Sequence, residues 1–136
     1  MDDCIFCKII RGEIPSRKVY EDENTLSFMD VAGDVDGHIL VIPKKHVTNV
    51  LDCDEETLAK TMATVRKVAR HLVEDCGYEG VNILNASGQP AGQTVFHLHF
   101  HIIPRRSSDP FTGWPVYPGA KEEIADVHQR VTMMEK

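Results

Sequence analysis

Three of the seven histidines are packed into one short run, His97-Leu98-His99-Phe100-His101. Side chains alternate along an extended chain, so the three imidazoles share one face, with rings roughly 6–7 Å apart along it. Leu98, Phe100 and Ile102 point the other way and supply core. Burying three imidazoles together costs desolvation unless something polar meets them. Two chemistries suit such a row. Histidines two apart on a strand can chelate a metal ion. Alternatively, one ring attacks as a nucleophile while a neighbour moves a proton, since imidazole titrates near neutrality.

The segment just upstream favours the nucleophile. Residues 85–94 form a Gly- and Pro-containing polar loop, in which Gly88 and Gly92 let the backbone approach a ligand closely. Asn85, Gln93 and Thr94 offer neutral polar groups, and Gln93 and Thr94 are expected to donate to phosphate oxygens. A metal site built from this strand would call for carboxylates, and none lies near it in the sequence. A substrate phosphorus already carries negative charge, so a neutral imidazole in an electropositive setting is the fitting attacker.

The elements that must position these groups follow from periodicity. Residues 54–76 form the clearest helix, with Leu58, Met62, Val65, Ala69 and Leu72 at helical spacing. Asp52 or Asp54 can cap it, Glu55 and Glu56 suit its first turn, and Gly77 can end it. Strands are expected over residues 18–21, 25–30, 37–42, 80–85 and 95–103, with Pro43 and Pro104 as stops. Residues 121–134 fit a second amphipathic helix, and 107–119 read as a loop. This order of elements suggests an α+β fold with an antiparallel sheet.

The chain has 136 residues, a length that suits one domain over 1–136. Its 42% apolar and 26% charged residues are ordinary for a globular protein. A net charge of −6 argues against a nucleic-acid partner, which calls for a basic face, but not against a small nucleotide. No signal peptide or membrane span is recognisable, so the cytoplasm is the expected compartment and no membrane partner is expected. Cys53 and Cys76 read as reduced thiols. His71 and His128 sit on helix faces with no specific role.

Three blocks together resemble one family. The run Gly92-Gln93-Thr94-Val95-Phe96-His97-Leu98-His99-Phe100-His101-Ile102-Ile103 is similar to the signature of the histidine-triad (HIT) family. Gly37-His38-Ile39-Leu40-Val41-Ile42-Pro43-Lys44-Lys45-His46 is a second match. Cys4-Ile5-Phe6-Cys7-Lys8-Ile9-Ile10, with Gly12-Glu13-Ile14-Pro15 after it, is a third. The resemblance covers about residues 4–105, leaving 106–136 as a tail. It implies a five-stranded antiparallel sheet with one long helix and short flanking helices, paired across a homodimer. It also implies a purine-nucleotide pocket for AMP or GMP conjugates and a two-step reaction through a nucleotidyl-histidine.

Carried over residue by residue, the resemblance makes His99 the nucleophile and His101 the group that binds phosphate and helps the leaving group. It makes His38 an accessory histidine of the relay. Asn85, Gly92, Gln93 and Thr94 match the phosphate loop, Thr94 standing where relatives often carry serine. Asp30 matches the ribose-binding acid. Ile5, Phe6, Ile9, Phe28 and Val31 match positions around the base, although apolar residues there are explained equally well as core. A histidine at 101, where the nucleotidyltransferase branch carries glutamine, favours water as the final acceptor. The Cys-x-x-Cys and short tail look like the Hint-like nucleoside phosphoramidase branch. A dinucleoside-polyphosphate hydrolase and a non-catalytic nucleotide-binding dimer are the competing functions.

Cys4 and Cys7 admit three readings. A thioredoxin-like redox pair follows a strand, and the chain has no room for one before residue 4. Two buried thiols beside Ile5 and Ile9 are the plain alternative. A zinc site needs two further ligands, for which His46 and His97 are the best candidates, and matching positions in cysteine-containing members of the family form a Cys₂His₂ site. One structural Zn²⁺ per chain is the expectation, with no metal required for catalysis. His97 is then structural first and supports His99 only indirectly.

Overall fold

The computed structural model describes residues 3–110 and 117–134. Its longest element is helix α2, Glu55–Glu74, which starts where Asp54 accepts from the Thr57 amide at 3.0 Å. The chain leaves α2 through Gly77 at φ +84°, a left-handed conformation that favours glycine. The inner face of α2 is not quite the one that apolar spacing suggests. Val65 and Leu72 are buried as expected, but Thr61, Thr64 and Val68 complete the face, and Met62 is 40% exposed. The two threonines can go inside because their hydroxyls are satisfied. Thr61 Oγ1 donates to the Thr57 carbonyl at 2.7 Å, and Thr64 Oγ1 lies 2.8 Å from Thr25 Oγ1.

Five strands form one antiparallel sheet: β1 (Lys18–Glu21), β2 (Thr25–Met29), β3 (Ile39–Pro43), β4 (Gly80–Leu84) and β5 (Phe100–Arg105). Their spatial order is β1-β2-β3-β5-β4. All five residues of β3 are buried, because both faces of the sheet are covered. On one face Ile39, Val41, Phe100 and Ile102 pack with Val65, Val68 and Leu72 of α2. On the other, Leu26, Phe28, Leu40 and Ile42 pack with Phe6 and Ile9 of a six-residue helix α1 (Ile5–Ile10).

Pro43 is the last residue of β3, as expected of a stop, whereas Pro104 sits inside β5. Pro104 pairs with Val81 of β4, and the β3–β5 pairing ends at Ile102. Pro43 pairs with Thr25 of β2, beyond the last β3–β5 pair at Val41. Each proline therefore lies where its strand has one neighbour, and the missing N–H breaks no ladder.

The histidine strand is correspondingly displaced. β5 begins at Phe100, so His97 and His99 precede it. Residues 97–99 instead lie against the loop after β3, where the Leu98 amide donates to the Val47 carbonyl at 2.8 Å. Alternation survives the loss of the ladder, since Leu98 is fully buried in the core under α2.

Helix α3 (Ile124–Val131) falls within the expected 121–134 segment, but none of its residues is buried. Of the expected loop 107–119, residues 111–116 lie outside the described residues. Among the described residues, no helix is long and apolar enough to cross a membrane.

Candidate functional site

The histidine row divides between two clusters. His97 is completely buried and faces Cys4 and Cys7. Its Nε2–H donates to the Pro43 carbonyl at 2.8 Å, which leaves the lone pair on Nδ1. That Nδ1 lies 3.4 Å from Cys4 Sγ, 3.6 Å from Cys7 Sγ and 3.2 Å from His46 Nδ1. Cys7 Sγ and His46 Nδ1 are 3.3 Å apart. Burial pushes the His97 pKa down to about 4, so the ring is neutral, as a metal ligand must be. Tetrahedral zinc, at roughly 2.3 Å from sulfur and 2.0–2.1 Å from nitrogen, spaces its ligands by roughly 3.3–3.8 Å. Two imidazole lone pairs and two sulfurs converging at such distances fit a zinc site.

This cluster also accounts for α1. Cys4 is the N-cap of that helix, its sulfur accepting from the Cys7 amide at 3.4 Å. One helical turn thus brings both thiols to one end, while Phe6 and Ile9 enter the core.

His99 and His101 belong to the second cluster. His99 Nδ1–H donates to the backbone carbonyl of His97 at 2.8 Å, leaving the lone pair on Nε2. Its ring lies edge-to-face with Phe6 at 5.1 Å and 5.1 Å from the His101 ring, closer than the expected strand spacing. His101 Nδ1 is 2.9 Å from His38 Nε2. Burial, then the neighbouring His99 and His38, hold the His101 pKa below its ordinary value.

Carboxylates do stand at this site, contrary to what linear proximity suggests. Asp30 Oδ2 lies 3.4 Å from His38 Nε2 and 4.0 Å from His101 Nδ1, and Asp34 Oδ1 lies 2.8 Å from His38 Nδ1. Both come from the β2–β3 connection, which folds back over β5. Gly37 permits this approach: its φ is +85°, and a Cβ there would meet Pro104 Cγ at 2.9 Å. Asp30, His38 and His101 are also grouped closely enough to ligate a cation. The 2.9 Å between the two ring nitrogens is accounted for by a shared proton.

Beside this cluster opens a cavity of about 620 Å³. Ile5, Phe6, Ile9, Phe28, Val31 and Asp30, the residues matched to base and ribose, all line it. Phe6, Ile9 and Phe28 are also core, whereas Val31 is 97% exposed and not core at all. Ile14, Arg17 and Leu40 line the same cavity without having been anticipated, although Ile14 stands in the Gly-Glu-Ile-Pro block. A groove of about 650 Å³ between β1 and α2 lies away from the histidine row.

The loop before the row is held differently from the expectation. Gln93 is buried, and its Nε2 donates to the carbonyls of Thr48 (2.7 Å) and Val95 (3.0 Å). Its Oε1 accepts from Asn49 Nδ2 at 3.2 Å and from the Gly88 amide at 2.9 Å. A side chain so committed braces the loop and has no donor left for phosphate. Asn85 Nδ2 donates to the His99 carbonyl at 3.0 Å and so fixes the backbone of that residue. Thr94 is exposed, and Gly92 turns the chain at φ +99°.

Comparison with known proteins agrees with this arrangement. Residues 11–108 match the family model for the HIT domain. The chain is 50% identical over 104 residues to the Bacillus subtilis (strain 168) protein hit, covering 76% of this chain and 72% of that one. It is 39% identical over 131 residues to the adenosine 5′-monophosphoramidase hnt1 of Schizosaccharomyces pombe, covering 95% and 96% of the two chains. A crystal structure of a zinc-bound histidine triad family protein from Mycobacterium smegmatis superposes with a TM-score of 0.76 at 41% identity, covering 79% of this chain and 78% of that one. The chain belongs to the histidine-triad (HIT) family and is a hydrolase of the histidine-triad type.

Proposed function

We propose that this protein hydrolyses purine nucleoside 5′-phosphoramidates at the P–N bond through a nucleotidyl-His99 intermediate. The observation that carries the reading is the fixed tautomer of His99: its Nδ1–H is held by the His97 carbonyl at 2.8 Å, so Nε2 carries the lone pair beside His101. In the first step Nε2 of His99 forms a bond to phosphorus and the P–N bond breaks. The departing amine takes a proton from Nε2 of His101. In the second step water attacks the same phosphorus, His101 accepts its proton, and the nucleoside monophosphate leaves His99.

The other residues bind and orient. The apolar cavity holds the base, with Ile5, Phe6, Ile9, Phe28 and Val31 around it, and Asp30 accepts from the ribose hydroxyls. Thr94 and the backbone around Gly92 face the phosphate, while Asn85 and Gln93 keep that loop and His99 in register. Cys4, Cys7, His46 and His97 hold one Zn²⁺, whose four protein ligands leave no open position for water. Its contribution is to join α1 and the loop after β3 to the chain leading into His99.

The S. pombe relative named as an adenosine 5′-monophosphoramidase supports the substrate class. Turnover of adenosine 5′-phosphoramidate by the purified protein, set against diadenosine polyphosphate, tests it. Release of AMP with the phosphoramidate preferred is the expected result. Preference for the dinucleotide, or nucleotide binding with no turnover, overturns it.

A homodimer belongs to the same reading. β4 is an edge strand, and Ile83 and Leu84 on it are 44% and 42% exposed, as are Met62 (40%) and Val73 (37%) on α2. Light scattering at micromolar concentration is expected to give about twice the 15.3 kDa chain mass. A monomer peak rejects it.

A further inference from the structure

The β2–β3 connection places a second carboxylate, Asp34, against the face of His38 that points away from the histidine row. We propose that Asp34 is a positioning residue: by accepting from His38 it sets the tautomers of His38 and His101 in turn, and so leaves Nε2 of His101 as the nitrogen that takes up and gives up the movable proton. The inference rests on the phosphoramidate reading for its kinetic part only.

An ionised carboxylate only accepts, so the 2.8 Å contact between Asp34 Oδ1 and His38 Nδ1 requires the proton on Nδ1. The contact with His38 in turn holds the Asp34 carboxyl below its ordinary pKa. A neutral His38 then has only a lone pair on Nε2. Across 2.9 Å stands His101 Nδ1, which must donate for the two nitrogens to lie so close. His101 is left with its second nitrogen, Nε2, free to take a proton and give it up. With the tautomers reversed, His38 Nε2–H would donate to His101 Nδ1, but the His38 Nδ1 lone pair would then face the Asp34 carboxylate across 2.8 Å with no proton between them.

Other groups around the pair do not replace Asp34. His38 is faced by Asp34, by Asp30 from the end of β2 and by His101 from β5, and His101 is faced also by His99. Asp30 Oδ2, at 3.4 Å, lies on the Nε2 side of His38 and cannot hold its Nδ1. Asp30 Oδ1 already accepts from the Ala32 amide at 3.0 Å. Asp34 therefore acts on His38 from a side that no other described residue occupies, and it does so from a loop: its side chain is 53% exposed while that of His38 is 7%. The other partners of Asp34 are backbone N–H groups of its own loop, at residues 34 and 35.

The chemistry balances without any further reactant. His101 enters the cycle as the imidazolium, having taken a proton from solvent on Nε2; when the amine leaves, that proton passes to it and the ring becomes neutral, still donating from Nδ1 to His38. When water attacks, Nε2 takes a proton back. His38 and Asp34 exchange no proton with the substrate; they hold the ring that does, and the Asp34 charge steadies the transient imidazolium.

The test uses the full chain with its metal, as wild type, Asp34→Ala and Asp34→Asn. Long-range ¹H–¹⁵N correlation spectra of the imidazoles read the tautomer of His38 directly. Steady-state kinetics on adenosine 5′-phosphoramidate read the consequence. The expected wild-type spectrum shows His38 protonated on Nδ1. Asp34→Ala mixes the two tautomers and lowers kcat by roughly tenfold, a fraction of the roughly 10²–10⁴-fold that a positioned proton-transfer group supplies, with KM unchanged. Asp34→Asn, whose Oδ1 still accepts, restores the tautomer and most of kcat. His38 protonated on Nε2 in the wild type overturns the proposal, as does an Asp34→Ala variant with wild-type spectrum and kcat. If the wild type turns over no phosphoramidate, the phosphoramidate reading fails by itself, and the spectra still decide the role of Asp34.

Discussion

His97 and His99 are two residues apart, carry the same side chain and share a side of the chain, yet their rings are prepared for opposite work. In His97 the backbone carbonyl of Pro43 takes Nε2–H, and Nδ1 is turned into a closed set of two sulfurs and a second imidazole. In His99 the backbone carbonyl of His97 takes Nδ1–H, and Nε2 keeps the lone pair. Which nitrogen meets a carbonyl decides which one keeps its lone pair, and burial decides what can reach it. His97 is completely enclosed, as a structural ligand is; His99 is only partly covered. The pair teaches that a histidine row is read from the acceptor on each ring, not from the spacing alone.

Removing the open ring is expected to have the largest effect. His99→Ala is expected to abolish turnover of the phosphoramidate by three decades or more, about 4 kcal/mol of transition-state stabilisation. Nucleotide binding, followed by calorimetry, is expected to persist because the apolar cavity and Asp30 remain. Near-normal turnover in this variant shows that the nucleophile lies elsewhere.

Removing the closed set is expected to do the reverse. Cys4→Ser combined with Cys7→Ser leaves His99 and His101 in place but deprives the cluster of both sulfurs. Elemental analysis is expected to fall from about one zinc per chain to none, and the unfolding temperature to drop by roughly 10 °C, about 2–3 kcal/mol for a chain of this length. Turnover is expected to be weakened, not erased. A metal-free wild type with both thiols freely reactive returns Cys4 and Cys7 to ordinary buried thiols.

Much of this contrast can be read in the sequence, and the parts that cannot share a cause. Apolar spacing and the Asp54 cap locate α2 because those signals are local. The alternation of His97, Leu98 and His99 places rings and core correctly even though no ladder forms there. Pro104 misleads as a strand end because its tolerance depends on how many neighbours the strand has there, which only the sheet order decides. Gln93 misleads as a phosphate donor because its partners, Thr48 and Asn49, are more than forty residues away. Asp34 escapes notice for the same reason in reverse: it lies four residues from His38, but only the fold of the β2–β3 connection turns that spacing into a contact. Thr61 and Thr64 are missed on α2 because polarity alone gives no hint that their hydroxyls are satisfied.

Acid acts on the enclosed ring. In chelator-treated protein the His97 pKa of about 4 lies below the ordinary 6.5, because burial disfavours the charged ring. The unfolded chain therefore takes up the proton first. The stability tied to this ring is fully present above pH 6.5 and is lost as pH falls from there toward 4. Between pH 7 and 5.5 the loss from this ring is expected to be roughly 1.2 kcal/mol, and His101, whose pKa is also held down, adds a loss of the same sign. Paired carboxylates such as Glu21, held down to about 2 by Lys18 and Lys44, give up their share only at lower pH, which separates the two effects. Denaturant midpoints at the two pH values measure it; a midpoint that does not move means that His97 takes its proton without leaving the fold.

The smallest effect belongs to the cavity, whose apolar lining takes no part in the chemistry. Ile5 lines it and is 46% exposed, so its outer half is free to meet a ligand while its inner half rests on the protein. If that surface meets the base in the ground state and in the transition state alike, truncation removes uniform binding, which raises KM and leaves kcat alone. Covering half of an isoleucine contributes about 1 kcal/mol, so Ile5→Ala is expected to weaken nucleotide binding and raise KM by about fivefold. The substitution removes no hydrogen-bonding side chain and lies away from the acceptors that set His99 and His101. A fall in kcat at constant KM places Ile5 among the residues that hold His99, through its neighbour Phe6, whose ring packs against the His99 imidazole at 5.1 Å.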